Sequence, residues 1–254
     1  MTKIRKIILQ IPFSVIIYLS LRKLKNIPWF IFDYFKFKKL SRGIFSIKVH
    51  DFFPALLDKT SKTSFEPHYI YHPAWAARIV KEINPKYHTD ISSTLTFVSI
   101  ISAFIPVKFY DYRPAMLNLS NLESRSADLT NLPFADGSID SLSCMHVVEH
   151  IGLGRYGDPI DPEGDLKAIM ELKRVVAPGG SLLFVVPVGR PKIAFNAHRI
   201  YSYEQIIQNF SEFDLKDFSL IGDDFKETGI INNSNPDLVK DQDWGCGCFW
   251  FIKK

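Results

Sequence analysis

Residues 165–189 read DLKAIMELKRVVAPGGSLLFVVPVG, and three physical signals follow one another along them. Leu166, Ile169, Met170, Leu172, Val175 and Val176 recur at three- and four-residue spacing, which is the apolar stripe of a helix lying on a core. Just upstream, Asp161 suits an N-cap and Pro162 the first helical position. Pro178-Gly179-Gly180 then stops the helix. Residues 181–189 form a near-continuous apolar run, the pattern of a strand buried on both faces of a parallel sheet. A helix that stops in a turn and feeds such a strand is half of an α/β unit, and the neighbouring sequence repeats the alternation.

Towards the N-terminus, EPHYIYHPAWAARIVKEINP predicts a helix entered near Pro73, with Trp75, Ile79 and Ile83 on one face. Residues 87–92, 106–112, 124–129 and 139–148 read as strands; TLTFVSIISAF and, further on, SYEQIIQNF read as helices. FDLKDFSLIG and the terminal CFWFIKK complete the strands, and Asp136-Gly137 marks a turn. The expectation is an open, mostly parallel sheet with helices on both faces, whose ligand lies beyond the carboxyl ends of the strands where strand order reverses. Asp90, Ser92 and Ser93 fall at the first such end, Asp111 at the second and Asp128 at the third. Each aspartate alone is an ordinary turn or cap residue. Their register on successive strand ends is the signal, because one carboxylate offers two adjacent acceptors to the vicinal hydroxyls of a ribose.

Charge is distributed unevenly. Residues 1–48 hold eleven basic side chains and one acidic one, Asp33, a net +10; the remaining twenty basic and twenty-six acidic residues give −6. A basic arm on an acidic body implies an anionic partner for the arm. The fifteen uncharged residues between Lys6 and Arg22 are too few, and too interrupted by Gln10, Pro12 and Ser14, for a spanning helix of about twenty apolar residues. A signal peptide fits the start, yet no small-residue cleavage site follows. PWFIFDYFKFKKL, residues 28–40, interleaves aromatics and lysines as surface-bound helices do, the aromatics entering a headgroup layer while the lysines meet anionic lipid. The competing readings are an extension packed on the body or on a second copy, and nucleic-acid binding, which the arm's hydrophobicity disfavours. Three cysteines, Cys144, Cys246 and Cys248, form no disulfide framework and fit a reducing compartment. Nothing close in sequence completes Cys246-Gly247-Cys248 as a metal site.

Residues 146–150, HVVEH, match the H-x-x-E-H pattern of a zinc peptidase family. That chemistry needs both histidines on one face of a helix. Read as a continuation of the strand over 139–148, His146 and His150 stand about 13 Å apart, too far for one zinc. The glycines of GLG that follow also oppose a helix. No metal is expected from this string; it reads as a strand end that delivers polar groups into a pocket.

ADLTNLPFADGSIDSLSCMHVVEHI (127–151) together with residues 165–189 strongly resembles class I S-adenosylmethionine-dependent methyltransferases, in the branch whose fourth strand ends V-x-E-H and whose next helix ends R-V-L-x-P-G-G. GLGRYGDPIDPEGD, FNAHRIYS and CGCFWF further resemble a poorly characterised subfamily described only as a domain of unknown function. The resemblance covers roughly residues 65–254 and implies a Rossmann-like, doubly wound, mostly parallel seven-stranded sheet, with residues 1–64 as a helical basic extension. It implies S-adenosylmethionine as cofactor, held by Asp90, Ser92 and Ser93 in the first loop, by Asp111 at the ribose, by Asp128 and Leu129 at the adenine, and by His146, with Val147, near the methionyl part. The sequence departs from the family at that first loop, Asp90-Ile91-Ser92-Ser93-Thr94, where the family carries glycine.

On the acceptor side, Glu149, His150 and Asp158 are the catalytic candidates, with His150 as general base. Arg155, His198 and Arg199 are the substrate-binding candidates. The expected activity is methyl transfer to an oxygen of a small molecule, such as a sugar or glycan intermediate. The alternatives are a binding module that kept the fold without the cofactor, and a zinc hydrolase. The expected partners are the acceptor and an anionic membrane surface at the cytoplasmic face, with no nucleic acid.

Overall fold

The structure is a computed structural model that describes residues 13–254. Lys3, Arg5, Lys6 and the start of the uncharged run lie outside the described residues. The chain divides into two units, Met1–Ser64 and Phe65–Lys254.

The first unit contains α1, Phe13–Leu40, with Pro28 inside it, followed by a 3-10 turn at Val49–Asp51. The segment after the helix folds back on its middle. Asn26 Nδ2 donates to the Leu56 carbonyl at 2.6 Å, Phe52 packs edge-on against Phe30 and Tyr34, and Lys59 lies over the Trp29 ring while pairing with Asp33 at 3.2 Å. Leu21, Leu24, Phe32, Phe35, Phe37 and Leu40 remain exposed. Among the described residues, no helix is long and apolar enough to cross a membrane.

The second unit runs α2 (Pro67–Ile83), β1 (His88–Ile91), α3 (Leu95–Ile101), β2 (Val107–Asp111), β3 (Leu122–Ser126), β4 (Ile139–Met145), α4 (Gly164–Val175) and β5 (Val176–Val188). A two-stranded ribbon of β6 (Lys192–Ala194) and β7 (His198–Ile200) follows. The chain closes with α5 (Tyr203–Asn209), β8 (Phe213–Ile221), α6 (Phe225–Thr228), β9 (Ile230–Ile231) and β10 (Gly245–Lys253). The sheet order is β3-β2-β1-β4-β5-β10-β8-β9, parallel from β3 to β5, with β10 antiparallel to both neighbours. This is the expected doubly wound α/β fold with one more strand than the seven predicted: β9 adds a two-residue antiparallel edge on β8. Strand order reverses between β1 and β4.

β5 shows why the sheet is double-sided. Leu182, Phe184 and Val186 enter one apolar cluster with Ala168, Ile169 and Leu172 of α4. Leu183 and Val185 enter the other, with Trp75, Ile79 and Val80 of α2 and Phe97 and Val98 of α3. Each such side chain contributes about 1.5–3 kcal/mol relative to exposure, so alternation along one strand drives helices onto both faces.

Five predicted boundaries move. α4 begins at Gly164 after Glu163, not at Pro162 after Asp161, and β5 begins at Val176, so that Pro178-Gly179-Gly180 lie within the strand and not between helix and strand. α2 begins at Pro67 rather than near Pro73: Glu66 enters extended, Pro67 takes the first turn, and the buried stripe His68, His72, Trp75, Ala76, Ile79 outweighs the hydrogen bond that Pro73 cannot make. The third strand is Leu122–Ser126, earlier than 124–129, because register with β2 pairs Leu122 with Val107. The fourth stops at Met145, three residues early, because His146 adopts φ 59° and Val148–His150 coil into a 3-10 turn.

A polar chain crosses the sheet between β1 and β4. His88 Nδ1 and Nε2 meet Ser141 Oγ and Ser143 Oγ at 2.8 Å each; Ser143 donates to Asp90 Oδ2, and Asp90 Oδ1 accepts from Ser93 N at 3.0 Å. Burial pushes the Asp90 carboxyl up to about 7, from an ordinary value of 3.8. The contribution of Asp90 to stability is therefore full below pH 3.8 and is lost as pH rises through about 7. Asp90→Asn should remove that dependence: urea midpoints of wild type and variant, compared from pH 4 to 8, should shift in the variant's favour as pH rises. An unchanged difference across the range would count against a strained Asp90.

Candidate functional site

A cavity of about 290 Å³ opens at the carboxyl ends of the first four strands, at the reversal of strand order. Ser92 reaches it from the end of β1, Asp111, Tyr112 and Arg113 from β2, Ala127 to Thr130 from β3, and His146, Val147 and His150 from the turn after β4. The loop over residues 151–164 closes the side with Gly152, Tyr156, Asp158 and Asp161.

Asp111 and Asp128 are anchored alike. Oδ1 of Asp111 accepts from Arg113 N at 2.7 Å; Oδ1 of Asp128 accepts from Thr130 N at 2.8 Å and from Thr130 Oγ1 at 2.7 Å. Each aspartate closes a tight turn at its strand end. Among the described residues no hydrogen bond reaches either Oδ2, which leaves both acceptors available in the cavity wall. Ser92 sits at φ 56°, where glycine is the ordinary choice, and its N and Oγ both donate to the Tyr110 carbonyl, at 2.7 and 3.2 Å. The two donors hold the unfavourable backbone in place.

Several predicted site residues lie elsewhere. Asp90 is fully buried in the polar chain and does not line the cavity, because its carboxylate is used within the sheet. Ser93 turns inward as well, its Oγ accepting from Met145 N at 3.1 Å. Arg199 is buried: it donates to the carbonyls of Ile151, at 2.6 Å, and Pro162, and pairs with Asp165, which also accepts from Tyr201, so it fixes the loop rather than meeting a ligand. Arg155 donates to the Ala197 carbonyl at 3.0 Å and does not line the cavity. His198 stacks on Trp244, 5.9 Å away, also outside the cavity. The cavity does hold Tyr112, Arg113, Thr130 and Tyr156, which sequence reasoning passed over. Arg113 is the clearest omission, since it stands two residues beyond the strand-ending Asp111; its guanidinium lies 4.7 Å from the Tyr156 ring centroid.

The HVVEH string is a turn whose side chains converge on Glu149. His146 Nδ1 lies 2.8 Å and His150 Nε2 3.7 Å from Glu149 Oε1. His150 Nδ1 lies 2.6 Å from the Ala197 carbonyl, which can only accept, and 3.3 Å from Arg155 Nη1, which can only donate; the shorter contact assigns the proton to Nδ1 and the lone pair to Nε2. Burial keeps the His150 imidazole below its ordinary pKa, against the pull of Glu149. Asp158 lines the cavity, but its carboxylate accepts from the backbone of Gly152 at 2.8 Å, Tyr156 at 3.2 Å and Gly154 at 3.3 Å. Partial burial opposes its charge, yet those three N–H groups hold it below the usual carboxylate range, so it organises the loop and is a weak base.

Behind His146, a second group of side chains is packed away from solvent. The His146 ring stacks on His68 with centroids 5.3 Å apart, His72 lies 5.1 Å from it, and His146 Nε2 is 3.4 Å from Cys246 Sγ. Burial lowers the His68 imidazole to about 3 and pushes the Tyr69 phenol beside it up to about 12.

Comparisons with known proteins add the following. Residues 120–228 match a family model described as a Caenorhabditis protein of unknown function, DUF268. No curated protein matches. Solved structures similar to the chain include the YcgJ protein from Bacillus subtilis (16% identity, TM-score 0.48, covering 71% of this chain and 99% of that one). They also include the N-methyltransferase NodS from Bradyrhizobium japonicum in complex with S-adenosyl-L-homocysteine (12% identity, TM-score 0.49, 74% and 88%). A putative methyltransferase from Bacillus halodurans is a third (15% identity, TM-score 0.48, 71% and 99%).

The loop over the cavity depends on one close approach. Gly152 has φ 79°, donates to Asp158 and accepts from Asp161 N; a Cβ there would lie 2.0 Å from the Asp161 carbonyl oxygen. Gly157 has φ 86° with nothing within 4 Å of its Cβ position. Gly152→Ala should therefore cost more than about 2 kcal/mol, and Gly157→Ala only about 1 kcal/mol of backbone strain. Thermal unfolding of the two variants checks the contrast; equal losses would show that the approach is not a constraint.

Proposed function

We propose that residues 65–254 bind S-adenosylmethionine in this cavity and transfer its methyl group to an oxygen of a sugar or glycan intermediate. The reading rests on one observation: Asp111 and Asp128, on adjacent strand ends, each present an unshared carboxylate oxygen to a cavity of nucleoside scale. Asp111 suits the ribose diol, and Asp128 with Leu129 suits the adenine and its exocyclic amine. Ser92 supplies the strained turn that lets the backbone approach where the family uses glycine. The bound cofactor would supply an electrophilic methyl group, so the protein's task is to orient an acceptor and take its proton. His150 Nε2 fits that proton's destination: its tautomer is set by Ala197, its low pKa leaves it neutral, and Glu149 stabilises the charge once the proton arrives. Tyr156 in the loop suits a hydroxyl-rich acceptor.

The arm fits attachment to an anionic membrane face. Phe32, Phe35 and Phe37 are exposed on α1 beside Lys36, Lys38 and Lys39, which pairs apolar insertion with charge attraction. Lipid-linked glycans are assembled at such surfaces, and this links the arm to the acceptor class.

Two outcomes are expected. Calorimetric titration with S-adenosylhomocysteine should show binding that Asp111→Ala weakens by about 10- to 100-fold, the loss of one or two charge-assisted hydrogen bonds. A folded protein silent to this ligand and to S-adenosylmethionine would instead be a binding module that has lost the cofactor. The full chain should co-sediment with phosphatidylserine vesicles but not with neutral phosphatidylcholine vesicles, and Phe32→Glu with Phe35→Glu should abolish co-sedimentation; retention by the double variant would end the membrane reading.

A further inference from the structure

We infer that His68, His146 and Cys246 form a binding site for a zinc-class divalent transition metal. One ligand atom from each lies within 4.8 Å of the others. The His146 Nε2 to Cys246 Sγ distance of 3.4 Å matches the ligand–ligand edge of about 3.3–3.7 Å that tetrahedral zinc imposes, given Zn–N near 2.0–2.1 Å and Zn–S near 2.3 Å.

Three independent features support the assignment. His146 Nδ1–H donates to Glu149 Oε1 at 2.8 Å, which fixes the tautomer with the Nε2 lone pair facing Cys246. A carboxylate behind a histidine is the usual outer support of a metal ligand. Next, the buried side-chain polar atoms without a hydrogen-bond partner, among the described residues, are His68 Nδ1, both ring nitrogens of His72, and Glu149 Oε2, all in or beside this cluster. Each such atom ordinarily costs about 1–3 kcal/mol, so their concentration at one point marks a place built for a further partner. Third, the donor set of two imidazoles and one thiolate selects zinc-class ions over magnesium or calcium. His72, one helical turn beyond His68, packs its ring 5.1 Å from that of His146. The ion would join the start of α2, the turn after β4 and the start of β10, and through His146 and Glu149 it would steady the turn that carries His150.

The test is independent of nucleoside binding and uses the full chain without an affinity tag. Elemental analysis should find one zinc per chain. After chelation, Co²⁺ titration should give a thiolate-to-cobalt absorption band saturating at one equivalent. Cys246→Ser should abolish the band, Cys144→Ser should retain it, and His68→Ala should weaken Co²⁺ binding at least about tenfold. Circular dichroism would confirm that each variant is folded. Absence of zinc together with no cobalt band in the folded wild-type chain would overturn the inference, as would a band that survives Cys246→Ser.

Discussion

The abrupt end of β4 is the constraint on which the site depends. Met145 N is held by Ser93 Oγ and His146 N by the Val185 carbonyl, so the strand is pinned on both sides up to the residue where it must leave the sheet. His146 then turns at φ 59°, a conformation a bulky residue adopts only when its surroundings enforce it. Because the chain turns there, His146, Val147 and His150 all reach the cavity wall, and the His146 ring also packs against His68 and His72 of α2 and Cys246 of β10.

The first loop solves the same geometric problem without glycine. The chain still takes positive φ after β1, at Ser92, where the strain is of order 1–2 kcal/mol. Two hydrogen bonds to one carbonyl of β2 offset it, and Ser93 turns the next hydroxyl into a strut for β4. The absence of glycine therefore changes how the turn is held rather than whether it forms.

A buried polar chain runs along the sheet from His88, the first residue of β1, and Ser141 of β4 to Asp90 at the carboxyl end of β1. The chain from Ser141 through His88 and Ser143 to Asp90 runs beneath the cavity, and the histidine–cysteine cluster lies beside it. Groups of this kind cost stability unless their partners are complete. Their position under and beside one crevice ties the stability of this end of the sheet to the geometry of the site.

Periodicity and punctuation in the sequence were enough to determine the α/β alternation, the doubly buried β5 and Asp111 at the end of β2, because these depend on spacing within ten or so neighbouring residues; Asp128 falls two residues beyond the end of β3. The resemblance in residues 127–189 reached the same fold. Local sequence could not tell that Asp90 and Arg199 spend their charge inside the protein while Asp111 and Asp128 keep an oxygen free; that depends on what the adjacent strand and loop offer. Nor could it place His68, His146 and Cys246 together. They are separated by 78 and 100 residues, and only the antiparallel return of β10 beside β5, with α2 packed across them, brings the three side chains to one point. Nothing in the neighbourhood of Cys246 in sequence signals the histidines that surround it in space, because hydrogen-bond pairing between distant strands carries no local pattern of residues.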